Sequence, residues 1–319
     1  IAVAVSGKGG LAVSGGGAIA FNTILGKNNA FIANSVVEVT GGDVTLSTTD
    51  VSTIDALVRA AAVSVAVGAK SSPALAIGLS VARNLIGWDS ESVSNKYTNT
   101  SKPSSLVKGD TVKIVNGPLT GNVYKYVGEN ITDSTKVKLG AENYSDRSSW
   151  EQIGLASLAN QVQAYIKDSS VTASGKLDLS ATATSRIDAK VLTLAVAVAA
   201  SGQSGVAVSV GGVYTDNSIK TDVKAFIDGS GAGTSTIRAA SLSLYASDGS
   251  SIFTTAAAAS VAASLAGQSG IAVTIGLAIA INEISGSVDA YASHCDTLIT
   301  TSGGITATAI SKGTPLFSL

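Results

Sequence analysis

The chain contains no methionine, one cysteine and one histidine, and only 5% of its 319 residues are aromatic. The lone Cys295 excludes an internal disulfide, and with His294 as its only histidine neighbour it supplies too few ligands for a zinc site. Low cysteine content suits the cytosol and giant exported proteins alike, so it does not choose a compartment. Charged residues make up 13% with a net charge of −1, which leaves no basic surface of the kind that nucleic acid or an anionic membrane rewards. Scarce aromatics exclude a conventional core built on large rings. The 45% hydrophobic content is carried by Ala, Val, Ile and Leu, which suit closely spaced sheets. Without an initiator methionine, and with Ile1 in the middle of a unit described next, the chain reads as an excerpt of a longer polypeptide. A missing signal peptide is then uninformative.

What is present is a unit of about 62–65 residues that recurs four times. An Asn closes an apolar run at Asn22, Asn84, Asn217 and Asn282, at intervals of 62, 133 and 65 residues. The middle interval is one unit with about 70 residues added. A second marker follows at Ala30-Phe31-Ile32, Ala164-Tyr165-Ile166, Ala225-Phe226-Ile227 and Ala290-Tyr291-Ala292. Self-similarity at a fixed period predicts an array in which each unit buries its apolar face against its neighbours.

Within a unit the apolar positions alternate. VLTLAVAVAA (191–200) and VAVSVGGVYTDN (206–217) flank SGQSG, with equivalent links at 6–10, 68–73 and 266–270. Gly and Ser between two alternating runs predict a hairpin. In these runs one parity carries Val and Ile and the other Ala, Ser and Gly, which predicts a sheet covered on both sides. The competing reading, a membrane span, is disfavoured. The turn leaves halves too short for spanning helices, and a barrel strand needs one polar face. Gly16, Gly78, Gly211 and Gly276 share one repeat position and predict a bulge or a close backbone approach. The repeated Asn predicts a turn or a side-chain ladder.

Residues 87–158 differ in kind. They carry 16 of the chain's 43 Asp, Glu, Lys and Arg residues, both tryptophans and four of the eight tyrosines. Such a shift predicts a small β domain emerging from a loop. The array is then 1–86 with 159–319, in units of about 1–62, 63–195, 196–260 and 261–319. The order Gly109-Asp110-Thr111-Val112, Tyr124, then Trp150 to Gly154 resembles small β modules of chitin- and cellulose-binding type. That resemblance implies sugar binding on ring faces, with Tyr124, Tyr126 and Trp150 as candidates. The plainer reading makes the same rings the core of a small domain.

No phosphate-binding loop, dinucleotide fingerprint or Gly-x-Ser-x-Gly elbow occurs, and the Asp residues recur singly. His294 and Cys295 are sequence neighbours, so on a strand they point to opposite faces and form no nucleophile–base pair. Asp228 and the Gly-rich segment after it offer one carboxylate, too few ligands for Ca²⁺. Neither an enzyme nor a cofactor is expected.

The pattern V-x-A-[YF]-I-x-[DN]-S-x-V followed by G-x-L-x-L-S-A-T-x-T-S-x-I-D-A (162–189) resembles repeats of very large bacterial exported proteins of adhesin, filamentous-haemagglutinin-like and autotransporter-like type. The resemblance implies an all-β chain, a β-solenoid or stacked-sheet array, secreted or displayed at the cell surface. It implies a structural role in a filament or adhesin, with copies of itself or adjacent repeats as partners. The alternative is a carbohydrate-binding adhesin whose insertion recognises surface glycans.

Overall fold

The computed structural model describes residues 1–87, 95–117, 119–144, 146, 148–154, 159–229 and 235–318. Trp88 and residues 230–233 of the Gly-rich segment lie outside them. The described chain is all-β, without a helix, and divides into two compact units, 1–86 with 161–319 and 87–160.

The larger unit is made of four parallel sheets. Sheet I holds Ala2–Ser6, Thr53–Gly68, Arg186–Ser201, Ser251–Ala266 and Thr314–Ser318. Sheet II holds Ala12–Ile24, Ser71–Ile86, Ser204–Asp228 and Ser269–Ser293, with Lys27–Ala33 and Asn160–Lys167 continuing its lower part. Sheet III (Val36–Val39, Ser170–Ala173, Thr236–Ala239, Thr297–Thr300) and sheet IV (Val44–Asp50, Lys176–Ala183, Ser241–Asp248, Ile305–Ser311) are shorter. Along the chain, the strands visit I, II, III and IV in turn. Each ladder joins positions one sequence unit apart: Ile54 to Ile187, Ile187 to Ile252, and Leu46 to Leu179 to Leu244. Asn22, Asn84, Asn217 and Asn282 are register partners, as are Gly16, Gly78, Gly211 and Gly276.

The Gly/Ser links do not make hairpins. Arg186–Ser201 pairs with its equivalents in sheet I, and Ser204–Asp228 with its own in sheet II. The backbone groups of the two runs are thus spent on parallel neighbours, and the runs meet through side chains across an arch. The two sheets pack through the small parity. Ala62, Ala66, Ala74, Ala76, Ala195, Ala197, Ala199 and Ala207 form a buried seam made almost wholly of alanine. Two sheets can come this close only where side chains are short.

Nor is the layer covered on both sides. The large parity faces outward on both sheets: Val208 is only half-buried and Val273 is 42% exposed. Because both parities are apolar, the alternation alone predicts two buried faces. Volume, not hydropathy, decides which one turns inward.

Below this thin part, sheets II, III and IV enclose larger side chains, among them Val162, Ile166, Leu177, Leu179, Val223, Ile227, Leu242 and Leu244. The smaller unit has its own core and a four-stranded sheet of Tyr97–Thr98, Thr111–Lys113, Val123–Tyr126 and Trp150–Gly154. Its two longer pairings are antiparallel.

Candidate functional site

The repeated asparagines stack into one chain of amides. Asn22 Nδ2 donates to Asn84 Oδ1 (2.8 Å), Asn84 Nδ2 to Asn217 Oδ1 (2.7 Å), and Asn217 Nδ2 to Asn282 Oδ1 (3.0 Å). Asn84 and Asn217 are fully buried, and the Thr254 hydroxyl also lies 2.9 Å from Asn217 Nδ2. An amide has both a donor and an acceptor end, so identical side chains in register satisfy each other, and the two inner members, Asn84 and Asn217, face only protein.

The repeated glycines mark close approach of the two sheets. A Cβ on Gly16 would lie 2.3 Å from the Ala61 carbonyl oxygen, and one on Gly78 would lie 2.6 Å from Thr193 Cγ2. At Gly211 and Gly276 it would meet the carbonyls of Ala259 and Ala258 at 3.0 Å. None of the four has a positive φ. Hydroxyls cross the same seam: Ser64 donates to Ala12 O (2.7 Å), Ser80 to Leu192 O (3.0 Å) and Ser264 to Gly205 O (2.8 Å).

A third ladder is aromatic. Phe31, Tyr165, Phe226 and Tyr291 stack with ring centroids 5.2, 5.0 and 5.2 Å apart and planes within 7–12°. The recurrent Ala-[Phe/Tyr]-Ile marker was its signal, since in-register pairing places every equivalent ring over the next. The two inner rings, Tyr165 and Phe226, spend both faces on their neighbours.

In the smaller unit Tyr124, Tyr126 and Trp150 are buried, at 5%, 6% and 2% exposure. Tyr126 meets Trp150 edge-on at 5.1 Å, Tyr144 meets Tyr124 at 5.0 Å and Trp150 at 4.7 Å, and Val112, Ile114 and Leu139 surround them. The Tyr144 hydroxyl donates to Leu139 O at 2.7 Å, and burial raises its pKa. No face of these three candidate rings is open to a pyranose. A cavity of about 780 Å³ lies elsewhere in this unit, between Asn99, Lys102, Pro103, Asn116, Lys138 and Leu139.

His294 sits where the chain leaves sheet II, at φ 51°, and the corresponding residues Asn34 and Asp168 take φ 49° and 47°. Asn, Asp and His are the non-glycine residues that best tolerate this left-handed corner. The imidazole Nδ1 lies 2.8 Å from Asp228 Oδ1, which also accepts from Ser293 Oγ at 2.9 Å. The serine hydroxyl therefore points at the carboxylate rather than at the histidine, which is not the relay a nucleophile requires. The His294 and Ser293 hydrogen bonds hold the Asp228 carboxyl below its ordinary pKa. Burial, with Asp228 and Asp296 nearby, pushes the Cys295 thiol up, away from the reactive thiolate. Among the described residues no three His, Cys, Asp or Glu side chains are grouped to hold a metal.

Comparison with protein-family models, curated proteins and solved structures finds no match to this chain.

Proposed function

We propose that the chain is a β-solenoid segment serving as a structural element of an extracellular filament or giant surface adhesin. The observation that carries this is the in-register pairing of equivalent positions across successive units, above all the amide chain through Asn22, Asn84, Asn217 and Asn282. Side chains that catalyse or bind need free donors, acceptors or ring faces. Here the inner members of the most regular polar and aromatic rows consume one another's, which is what a rod needs and a recognition site does not. Strands Ala12–Ile24 and Ser269–Ser293 lie at the two edges of sheet II, each paired on one side among the described residues. Such edges accept another rung, from further repeats or from another copy. The extracellular placement rests on the family resemblance alone.

Electron microscopy of the native assembly is the test, with fibre diffraction for spacing. Rods with a cross-strand repeat of about 4.8 Å along their length are expected. Globular particles without that repeat overturn the proposal.

The glycan-recognition reading loses its three aromatic candidates, and the cavity beside Lys102 and Lys138 is the place left for it. A glycan array probed with the whole chain is expected to show no selective binding.

A further inference from the structure

The outward face of sheet II is the largest feature that the scaffold reading leaves unused. Between the tip links and the Arg83–Asp216 ion pair (3.2 Å), its outward positions on four strands carry no charge. Ile19 is 67% exposed, Leu277 57%, Ile275 53% and Leu79 50%. Four strands about 4.8 Å apart and nine residues long at about 3.3 Å give a flat footprint of roughly 600 Å². With side-chain relief, that approaches the ~800 Å² each partner contributes to a stable dimer, and it stands at the upper end of what an ordinary monomer leaves open.

One row of the face shows what fits it. Gly17, Leu79, Gly212 and Leu277 are register partners, so small and large positions alternate across the strands. A two-fold axis along the strands, between the second and third, reverses the strand order while keeping the height. Leu277 of one chain then lies over Gly17 of the other, and Leu79 over Gly212. An isologous interface needs such a self-complementary pattern. Lipid has no use for it, and the open strand edges would be costly in a bilayer.

The geometry points to a second copy of this chain as the occupant, packed face to face on sheet II with the two arrays running antiparallel. This pairing uses sheet faces, whereas growth of the proposed filament uses strand edges, so either can fail without the other.

The test is sedimentation velocity of the 319-residue chain over micromolar concentrations, for the parent and for Leu79→Lys with Leu277→Lys. Both substitutions face outward, so circular dichroism is expected to be unchanged. The parent is expected to sediment as a dimer or larger, and the double variant to lose that face-to-face step. Geometry is read separately with Gly17→Cys and Leu277→Cys in a Cys295→Ser background. Facing positions on sheets packed about 10 Å apart are beyond disulfide reach, so a short bismaleimide is used, and a covalent dimer on a denaturing gel is expected. A parent that stays monomeric overturns the proposal. So does association that survives the lysines without cross-linking, which assigns assembly to the edges. A monomer that floats with phosphatidylcholine vesicles overturns it too, and hands the face to lipid.

Discussion

At the scale of single residues, Asn217 is the most constrained side chain in the larger unit. It accepts from Asn84, donates to Asn282 and has no exposed surface. Replacing it with alanine takes the acceptor from the buried Asn84 Nδ2, while Asn282 Oδ1 keeps the Thr254 hydroxyl (2.8 Å). An orphaned buried donor costs about 1–3 kcal/mol. Asn217→Ala is therefore expected to destabilise the chain by about 1–3 kcal/mol, read from the midpoint of a urea titration. Asp228 acts more gently and through pH. Its depressed carboxyl pKa means that its contribution is present above the ordinary carboxylate value and is lost as pH falls through the depressed one. His294→Asn keeps a residue that tolerates the left-handed corner while removing the largest cause of the shift. The Asp228 carboxyl is then expected to titrate closer to its ordinary value by carbon-13 NMR, and the small acid-side stability loss should shrink and be complete at a higher pH.

At the scale of elements, the deciding variable is which parity of an alternating strand faces the other sheet. Ala207 and Val208 are neighbours of nearly equal hydropathic character, yet Ala207 is fully buried in the alanine seam and Val208 faces out. An aspartate at 207 would be an unpaired buried carboxylate with a volume the seam lacks. Ala207→Asp is expected to cost about 3–5 kcal/mol. Val208→Asp is expected to stay within about 1 kcal/mol in the isolated chain. Thermal melts of the two variants side by side check this. Equal losses would mean that the outer face is covered in the folded chain. The glycine row belongs to the same element. At Gly16, Gly211 and Gly276 the closest approach is to a backbone carbonyl, which cannot rotate away as the Thr193 side chain facing Gly78 can.

At the scale of the molecule, the two units have separate hydrophobic cores. Ile86 is registered with Ile219, after which the equivalent strand runs on uninterrupted to Asp228. Replacing 87–160 with a two-residue linker restores that continuous strand's spacing. The shortened chain is expected to keep its β circular dichroism and a cooperative melt. Loss of the β signal would show that the larger unit cannot fold without the segment.

Much of this was legible in the residues themselves. A side-chain period of two, Gly/Ser links and equivalent positions at fixed spacing are local properties, so the all-β class and the residues that become register partners followed from the sequence alone. The 87–160 unit was visible for a similar reason, because a small core needs large side chains and the aromatics gather there. Other features needed the fold. Gly/Ser links serve a hairpin and an arch equally well, and only the backbone pairing distinguishes them. Where both parities of a strand are apolar, hydropathy does not say which turns inward. The close meeting of two sheets does, because only alanine, serine and glycine fit between them. Tyr124, Tyr126 and Trp150 carry the same chemistry on a surface as in a core, and packing against Tyr144 and Leu139 commits them to the core. The sequence argues against chemistry at His294 but gives that residue no role of its own. The left-handed corner it shares with Asn34 and Asp168 explains it by backbone conformation, which no residue type declares before the chain is folded.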